Sequence, residues 1–373
     1  MKMDIKREMA EVCRVFGITG ELSDVEVMHD GHINTTYVVN FREDSEIKKY
    51  LVQGINTHVF KNPGELMENI VGVTSFLREK ISENGGNPDR ETLSFIPART
   101  GKYYHYRQDK CWRIYHYIDN SYTINIIKNP GVFENAGRSF GLFQKNLSGY
   151  PMESLYEIIK DFHNTPKRLE NLEASAKADV IGRAAEVQDE IDFVLSRRED
   201  TKKVLRLYRD GLIPLRVTHN DTKLNNILFD SNTNESICVI DLDTIMPGFS
   251  LYDFGDAIRF GGNTAPEDEA DLDKVQLSLT LFESFTKGFL SACASALTKA
   301  EVDNLAFSAK LMTLECGIRF LTDYLDGDVY FKTDYSEHNL VRARNQFKLV
   351  YEMEKNMDEM NRIVRRIYKE AIE

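Results

Sequence analysis

The run His219-Asn220-Asp221-Thr222-Lys223-Leu224-Asn225-Asn226 constrains this chain more than any other, because short apolar segments flank it and an acid-tipped strand follows. Val217-Thr218 leads into it as a strand and Ile227-Leu228-Phe229 leaves it as another. Ile237 to Ile240 forms a third, closed by Asp241 fifteen residues after Asn226. Transfer of a phosphoryl group asks for this set of groups. The reaction needs little covalent help from a protein, only an aligned hydroxyl and neutralised phosphate charge. Asp221 has the place of the base that orients and deprotonates the hydroxyl, and Asn226 and Asp241 have the places of Mg²⁺ ligands. Asp243 projects to the same side as Asp241 and joins the metal candidates. A surface Asn-Asp turn beside an ordinary strand is the plain alternative. The spacing of the whole set decides against it.

At 373 residues the chain is too long for one core and divides into two lobes, expected at residues 1–118 and 119–373. A net charge of −12, with no Lys/Arg-rich block, excludes the basic face of a nucleic-acid binder. No apolar run reaches eighteen residues, and the Met1 to Gly17 segment is charged and helical in pattern, without the apolar stretch of a secretory signal. Cys13, Cys111, Cys238, Cys293 and Cys316 lie far apart and form no C-x-x-C pair, which fits free thiols in a reducing cytoplasm. The expected partners are therefore small molecules, with no nucleic acid and no membrane, on a monomer or small homo-oligomer.

Val25 to His29, Thr35 to Phe41 and Tyr50 to Ile55 read as strands, since β-branched and aromatic residues cluster there between Gly, Asn and Asp. Pro63 to Ile81 sets Leu66, Ile70, Val73, Phe76 and Leu77 at helical spacing, with Pro63 suited to a first turn. Glu91 to Ile96 and Trp112 to Ile118 read as two further strands. After Ile118 the pattern is helical: Phe133 to Leu147, one long helix from Ala184 to Tyr208, then Leu272 to Ala296, Lys299 to Tyr324 and Ser336 to Ile372. The fold class that follows is α+β and two-lobed, protein-kinase-like, with a small antiparallel five-stranded N-lobe carrying one helix and a larger, mainly helical C-lobe.

On the nucleotide side, His29-Asp30-Gly31-His32-Ile33-Asn34-Thr35 lies where a kinase covers the ATP phosphates, which makes Gly31, Asn34 and Thr35 candidates; a plain hairpin turn accounts for the same residues. A third-strand lysine should pair with phosphates and with an acid on the next helix. The strand instead reads Tyr50-Leu51-Val52-Gln53-Gly54-Ile55, with no base at its centre. Lys48, Lys49 and Lys61 stand nearby, Gln53 lies in the strand, and Glu65 or Glu68 is the matching helix acid. Tyr115 and Tyr117, in the aromatic run Trp112 to Ile118, fall where adenine would meet a hinge.

His219-Asn220-Asp221 with Asn226 and Asp241-Leu242-Asp243 resembles the aminoglycoside phosphotransferase and choline kinase superfamily. Gly31 to Tyr37, Asn56 to Asn69, Asp161 to Pro166, Met246-Pro247-Gly248, Tyr252 to Asp256 and Tyr330-Phe331-Lys332 together resemble the N-acetylhexosamine 1-kinases, from about residue 20 to 360. The resemblance implies ATP- and Mg²⁺-dependent phosphorylation of the anomeric hydroxyl of N-acetylglucosamine or N-acetylgalactosamine. It implies Asp221 as base, Asn226 and Asp241 as metal ligands, and sugar contacts at His32, Phe260, Arg319 and Tyr330. The sequence departs from that pattern at Gly54, where relatives usually carry a basic residue.

Read from the residues alone, Arg319 lies four residues from both Glu315 and Asp323, so a surface ion pair competes with a sugar contact. Phe260 and Tyr330 suit a core as well as a sugar face. His163, in Asp161-Phe162-His163-Asn164, is a further candidate for substrate. Two rival functions remain: a kinase of amino alcohols, methylthio-sugars or homoserine, and a non-catalytic nucleotide-binding protein. A choline-type substrate would need an aromatic and acidic cage, for which Asp243, Asp253 and Asp256 are formally open.

Overall fold

The computed structural model describes residues 2–28, 33–44, 46–125, 127 and 129–373. In chain order the elements begin with α1 (Lys2–Val15), β1 (Glu21–Met28), β2 (Thr35–Glu43), β3 (Glu46–Ile55), α2 (Pro63–Glu83), α3 (Pro88–Glu91), β4 (His105–Arg107), β5 (Lys110–His116) and β6 (Ser121–Tyr122). They continue with α4 (Pro130–Asn146), α5 (Thr165–Ala178), α6 (Gln188–Leu195), α7 (Arg198–Thr201), α8 (Lys203–Arg209), β7 (Arg216–Thr218), β8 (Ile227–Asp230), β9 (Ser236–Val239) and β10 (Met246–Gly248). The last helices are α9 (Ser250–Gly261), α10 (Leu279–Cys293), α11 (Lys299–Asp303), α12 (Leu305–Asp326), α13 (His338–Lys355) and α14 (Met357–Ile372). The chain makes two compact units that interleave in sequence. Unit 1 takes Met1–Tyr122, Gly149–Ile159 and Phe229–Met246; unit 2 takes Thr123–Ser148, Lys160–Leu228 and Pro247–Glu373.

Unit 1 is built on a five-stranded antiparallel sheet in the order β1-β2-β3-β5-β4. Alternation of side chains gives the sheet two unlike faces. Val39, Phe41, Tyr50, Val52, Trp112 and Ile114 form a core with Met9, Val12, Cys13 and Phe16 on one face. The opposite face carries Thr36, Leu51, Gln53, Arg113 and Tyr115, with Thr36 opposite Gln53, Gln53 opposite Arg113 and Leu51 opposite Tyr115. Gly54 belongs to the first face, paired with Thr35 and Trp112. A Cβ there would lie 2.6 Å from the Thr35 hydroxyl and 3.5 Å from the Trp112 ring. Position 54 therefore points away from the Gln53–Arg113 face, and the base missing from it is not a base missing from that face.

The fifth strand is β4, not Glu91 to Ile96. Asn87 accepts the Asp89 N–H at 3.1 Å as an N-cap, and Pro88 opens a helical turn through Glu91. The chain beyond it runs along β5 with the Ile96 N–H donating to Ile114 O at 2.9 Å and the His116 N–H to Ser94 O at 3.0 Å. Helix α2 follows the expected pattern, with the Asn62 side chain capping it and Leu66, Ile70, Val73, Leu77 and Ile81 buried. Asn69, fully buried on α2, donates to Tyr156 O and Ile245 O, both at 2.9 Å, and accepts the Tyr156 N–H. That one amide fixes two distant returns of the chain within unit 1.

Unit 2 is mainly helical. Helices α4 and α10 meet backbone to backbone: a Cβ at Gly137 would lie 2.3 Å from Phe285 O, so only glycine permits this approach. The long helices expected from periodicity are interrupted. Ala184 to Tyr208 breaks after Leu195, where Arg197 donates to Phe193 O and turns its guanidinium to Glu354 of α13 at 2.7 Å. Ser336 to Ile372 breaks at Asn356 into α13 and α14, and Lys299 to Tyr324 breaks at Asn304 into α11 and α12. Leu272 to Ala296 resolves into α10 between short 3₁₀ turns. Two helices escaped the periodicity, α5 and α9. The first is opened by Asn164, which accepts the Lys167 N–H at 3.2 Å ahead of Pro166. Among the described residues, no helix is long and apolar enough to cross a membrane.

Candidate active site

Asp221 stands on the turn between β7 and β8, and the turn is suspended from α9. The carboxylate of Asp253 accepts the backbone N–H of His219 at 3.0 Å on one oxygen and that of Asn220 at 2.7 Å on the other, while Gln144 donates to it at 2.6 Å. Asp256, one turn later on α9, accepts the Thr222 N–H at 3.0 Å, and the Thr222 hydroxyl donates to Asp253 O at 2.6 Å. These bonds hold Asn220 in a left-handed conformation, φ 64°, which an asparagine tolerates better than most residues. Burial pushes the Asp253 carboxyl up, against the pull of His219 and the bound amides. Burial works to raise Asp256 too, but Arg259, with Lys223 behind it, outweighs burial and holds that carboxyl below its usual range.

The side chains of the loop are arranged around Asp221. Asn226 donates through Nδ2 to Asp221 O at 2.8 Å and to its carboxylate at 3.2 Å. Lys223, which the sequence did not single out, places Nζ 3.1 Å from Asp221 Oδ1, and that carboxylate raises the lysine above its ordinary range. Asp221 is thus oriented by an amide on one oxygen and an ammonium on the other.

His163 lies against the same loop, with both ring nitrogens used inside unit 2. Nδ1 is 2.7 Å from Glu315 Oε1 and Nε2 is 3.1 Å from the Asn220 carbonyl oxygen. Both neighbours are acceptors for an imidazole N–H. His163 thereby braces the loop. Burial raises Glu315, but His163, the Thr165 hydroxyl at 2.5 Å and Arg319 outweigh it and hold the carboxyl low.

Arg319 is not the surface ion pair its spacing suggested. Its guanidinium sits among rings, 5.4 Å from Phe331, 5.7 Å from Phe162 and 6.0 Å from Tyr330. Asp323 accepts the backbone N–H groups of Val329, Tyr330 and Phe331 at 3.0, 2.8 and 2.9 Å, which fixes that loop and leaves Tyr330 67 % exposed. Phe260 is half-buried near the end of α9. Gly31 and His32 lie outside the described residues.

In unit 1, Asp241 closes β9 in a left-handed conformation, φ 57°, and the turn Leu242–Thr244 follows. Asp243 is buried, and its carboxylate is engaged on both oxygens. Arg113 of β5 donates to Oδ1 through Nη1, and Asn34 donates to Oδ2 at 2.5 Å. The Asn34 side chain in turn accepts the Asn56 N–H at 2.9 Å. Arg113 Nε donates to Gln53 Oε1 at 2.9 Å, and Gln53 donates to the Thr36 hydroxyl at 3.1 Å. Burial opposes the charge of Arg113, and Asp243 outweighs it. The sequence missed Arg113 because its cation sits one strand away from the expected place.

The other nucleotide-side expectations separate. Tyr115 is buried on the Arg113 face with its ring 5.0 Å from Phe95, and Tyr117 lies under Lys49. Thr35 is exposed at the start of β2. Lys48 is bonded to Glu43 and Lys49 to Asp119 at 2.6 Å, on the rim of the sheet. Glu68 is exposed beside the Tyr156 hydroxyl, and the α2 residue that meets Arg113 is Met67, Sδ 3.9 Å from Nη1. The helix acid of the sequence expectation is replaced here by Asp243.

Among the described residues, no cluster of three or more His, Cys, Asp and Glu is arranged to hold a metal. Mg²⁺ does not require one, since it binds through one or two protein oxygens and completes its shell with water and phosphate. Within unit 2, with Nδ2 of Asn226 turned to Asp221, the amide oxygen of Asn226 is the atom left to ligate.

Residues 102–283, which contain Asp221, Asn226, Asp241 and Asp243, match the APH model, the phosphotransferase enzyme family. Among solved structures, a microcompartment-associated aminopropanol kinase aligns with a TM-score of 0.59 at 16 % identity, covering 95 % of this chain and 98 % of that one. Spectinomycin phosphotransferase in complex with ADP and spectinomycin gives 0.56 at 13 %, covering 94 % and 98 %. Choline kinase from Cryptosporidium parvum Iowa II gives 0.54 at 15 %, covering 95 % and 96 %. The α+β fold, with its five-stranded antiparallel sheet and mainly helical remainder, is theirs. Residues 102–283 are thus similar to the APH phosphotransferase family, and the chain shares the fold of these solved structures.

Proposed function

We propose that this protein is an ATP- and Mg²⁺-dependent kinase that phosphorylates the anomeric hydroxyl of N-acetylhexosamines to the sugar 1-phosphate. The observation that carries the kinase assignment is the preset Asp221 carboxylate, gripped by Asn226 and Lys223 on a loop hung from Asp253. Asp221 accepts the proton of the sugar hydroxyl and fixes its direction of attack; the transition state is loose, so alignment counts as much as basicity. Mg²⁺, for which the sequence offers Asn226 and Asp241 as candidate ligands, would neutralise charge on the phosphates. Support for a sugar comes from Arg319 beside the exposed Tyr330, a guanidinium for hydroxyls or an acetamide carbonyl next to an aromatic face for a ring.

Two of the solved relatives are named for amino-alcohol substrates, aminopropanol and choline, and such a substrate needs an acid to meet its ammonium. The three acids formally open to that role are committed elsewhere: Asp243 to Arg113 and Asn34, Asp253 to loop amides, and Asp256 to Arg259 and Thr222. That favours the sugar. The test is coupled ADP release over a panel of 2-acetamido sugars, hexoses and amino alcohols, with product mass and acid lability. An acid-labile N-acetylhexosamine monophosphate is the expected product, and turnover confined to amino alcohols would sink the assignment.

A further inference from the structure

Burying a guanidinium and a carboxylate together brings little stability over apolar side chains of the same size, because both charges lose their hydration. Arg113 and Asp243 are 3 % and 4 % exposed, so this pair calls for a reason beyond folding. It sits in an unbroken network within unit 1. Gln53 holds Arg113 Nε, Arg113 Nη1 holds Asp243 Oδ1, Asn34 holds Asp243 Oδ2, and the Asn56 N–H holds Asn34. The network ties β3, β5 and the start of β2 to the turn whose first residue is Asp241. Nη2 of Arg113, with two N–H groups, has no hydrogen-bond acceptor among the described residues, although Nε and Nη1 of the same group are satisfied.

Resting on the kinase reading above, we propose that Arg113 is the phosphate-binding cation of the nucleotide subsite, and that Asp243 is its counter-ion rather than a metal ligand. The third strand offers Gln53 on that face where a lysine is expected, and Arg113 is the residue directly across from Gln53 on the neighbouring strand. A guanidinium suits the role, since it stays charged when buried and its planar fork serves a carboxylate with one nitrogen and a phosphate oxygen with another. Lys48 and Lys49 are committed to Glu43 and Asp119. Asp243 keeps the fork oriented and, through the turn it anchors, sets where Asp241 stands. The second acid of Asp241-Leu242-Asp243 thus serves the nucleotide indirectly.

The test is calorimetric binding of Mg-ATP and of adenosine, with KM for ATP, kcat and the Mg²⁺ concentration for half-maximal activity, in wild type, R113K, R113Q, D243N, D241N and R113Q/D243N. We expect R113Q to weaken Mg-ATP binding by at least about 10-fold, as for loss of a charge-assisted hydrogen bond, while adenosine binds as before. R113K should fall between wild type and R113Q. The double variant leaves no lone buried charge to unfold the unit, and it should bind ATP about as weakly as R113Q alone, since Asp243 acts through Arg113. Half-maximal Mg²⁺ should rise more in D241N than in D243N. Undiminished ATP binding by R113Q, or the double variant, overturns the proposal, as does a Mg²⁺ requirement raised equally in D243N and D241N. Wild type that binds no Mg-ATP defeats the kinase reading itself, a different outcome.

Discussion

The carboxylate of Asp253 holds the backbone N–H of Asn220 at 2.7 Å, so a buried acid on helix α9 carries the peptide that delivers Asp221. Because Asp253 satisfies two loop amides and a glutamine at once, D253A strands three buried donors. Its cost should be about 3 kcal/mol or more in unfolding free energy. Denaturant titration measures this, and a change under about 1 kcal/mol would show that the loop holds without Asp253.

Asp221 is partly exposed in a position already set by Asn226 and Lys223. D221N keeps the shape and loses the base, so kcat should fall by at least about 10³ with Mg-ATP affinity little changed. Near-normal turnover in steady-state assays would remove Asp221 from the mechanism.

His163 bridges Glu315 and the Asn220 carbonyl, so H163A leaves Glu315 buried beside an empty space. Breaking such a pair from one side should cost about 3 kcal/mol, whereas H163A/E315Q should recover part of the loss because no charge is left unpaired. A double variant less stable than H163A would contradict this. Activity should drop in both, since neither holds the Asn220 carbonyl.

Asp256, Glu301 and Glu315 are all held below the ordinary carboxylate range, in each case against burial: Asp256 by Arg259, Glu301 by Arg216 at 2.7 Å and Glu315 by His163. A carboxyl depressed in the folded state stabilises that state fully above its unfolded pKa, about 4, and the contribution is lost as pH falls through the folded value. Stability from these three should therefore be flat above about pH 5 and decline in acid. Chemical denaturation at stepped pH checks this, with E315Q expected to soften the acid limb; identical limbs would place the acid sensitivity elsewhere.

Arg319 stands among Phe162, Tyr330 and Phe331 in unit 2, in the company proposed for the sugar. R319A should raise KM for the sugar by about 10-fold or more, as for a lost charge-assisted hydrogen bond, and leave KM for ATP within about 2-fold. Equal rises in both constants would place Arg319 outside the sugar contacts.

How much of this was legible differs residue by residue. The loop between β7 and β8 and the strand β9 could be read because their spacing is local: a short loop between apolar segments leaves few conformations, and turn chemistry selects among them. Helix α5 was missed: its Asn164-Thr165-Pro166 start signal is present, but its apolar stripe is too sparse for the periodicity, so only its start was legible. The breaks at Ser196 and Asn356 were not, since the periodicity runs through them and the Arg197–Glu354 pair that accompanies the first joins residues far apart in sequence.

By itself the sequence determined elements whose cause is local: strands β2 and β3, the capped helix α2 and the loop that presents Asp221. Only the tertiary structure decided which charges face which. Sheet register turned Gly54 toward Trp112 and set Arg113 beside Gln53, and packing brought Asp243 to Arg113 and His163 to Asn220 across more than fifty residues of chain in each case. The physical reason is that an ion pair or buried hydrogen bond depends on a few ångströms of separation and on exclusion of water. Neither quantity exists until distant segments pack.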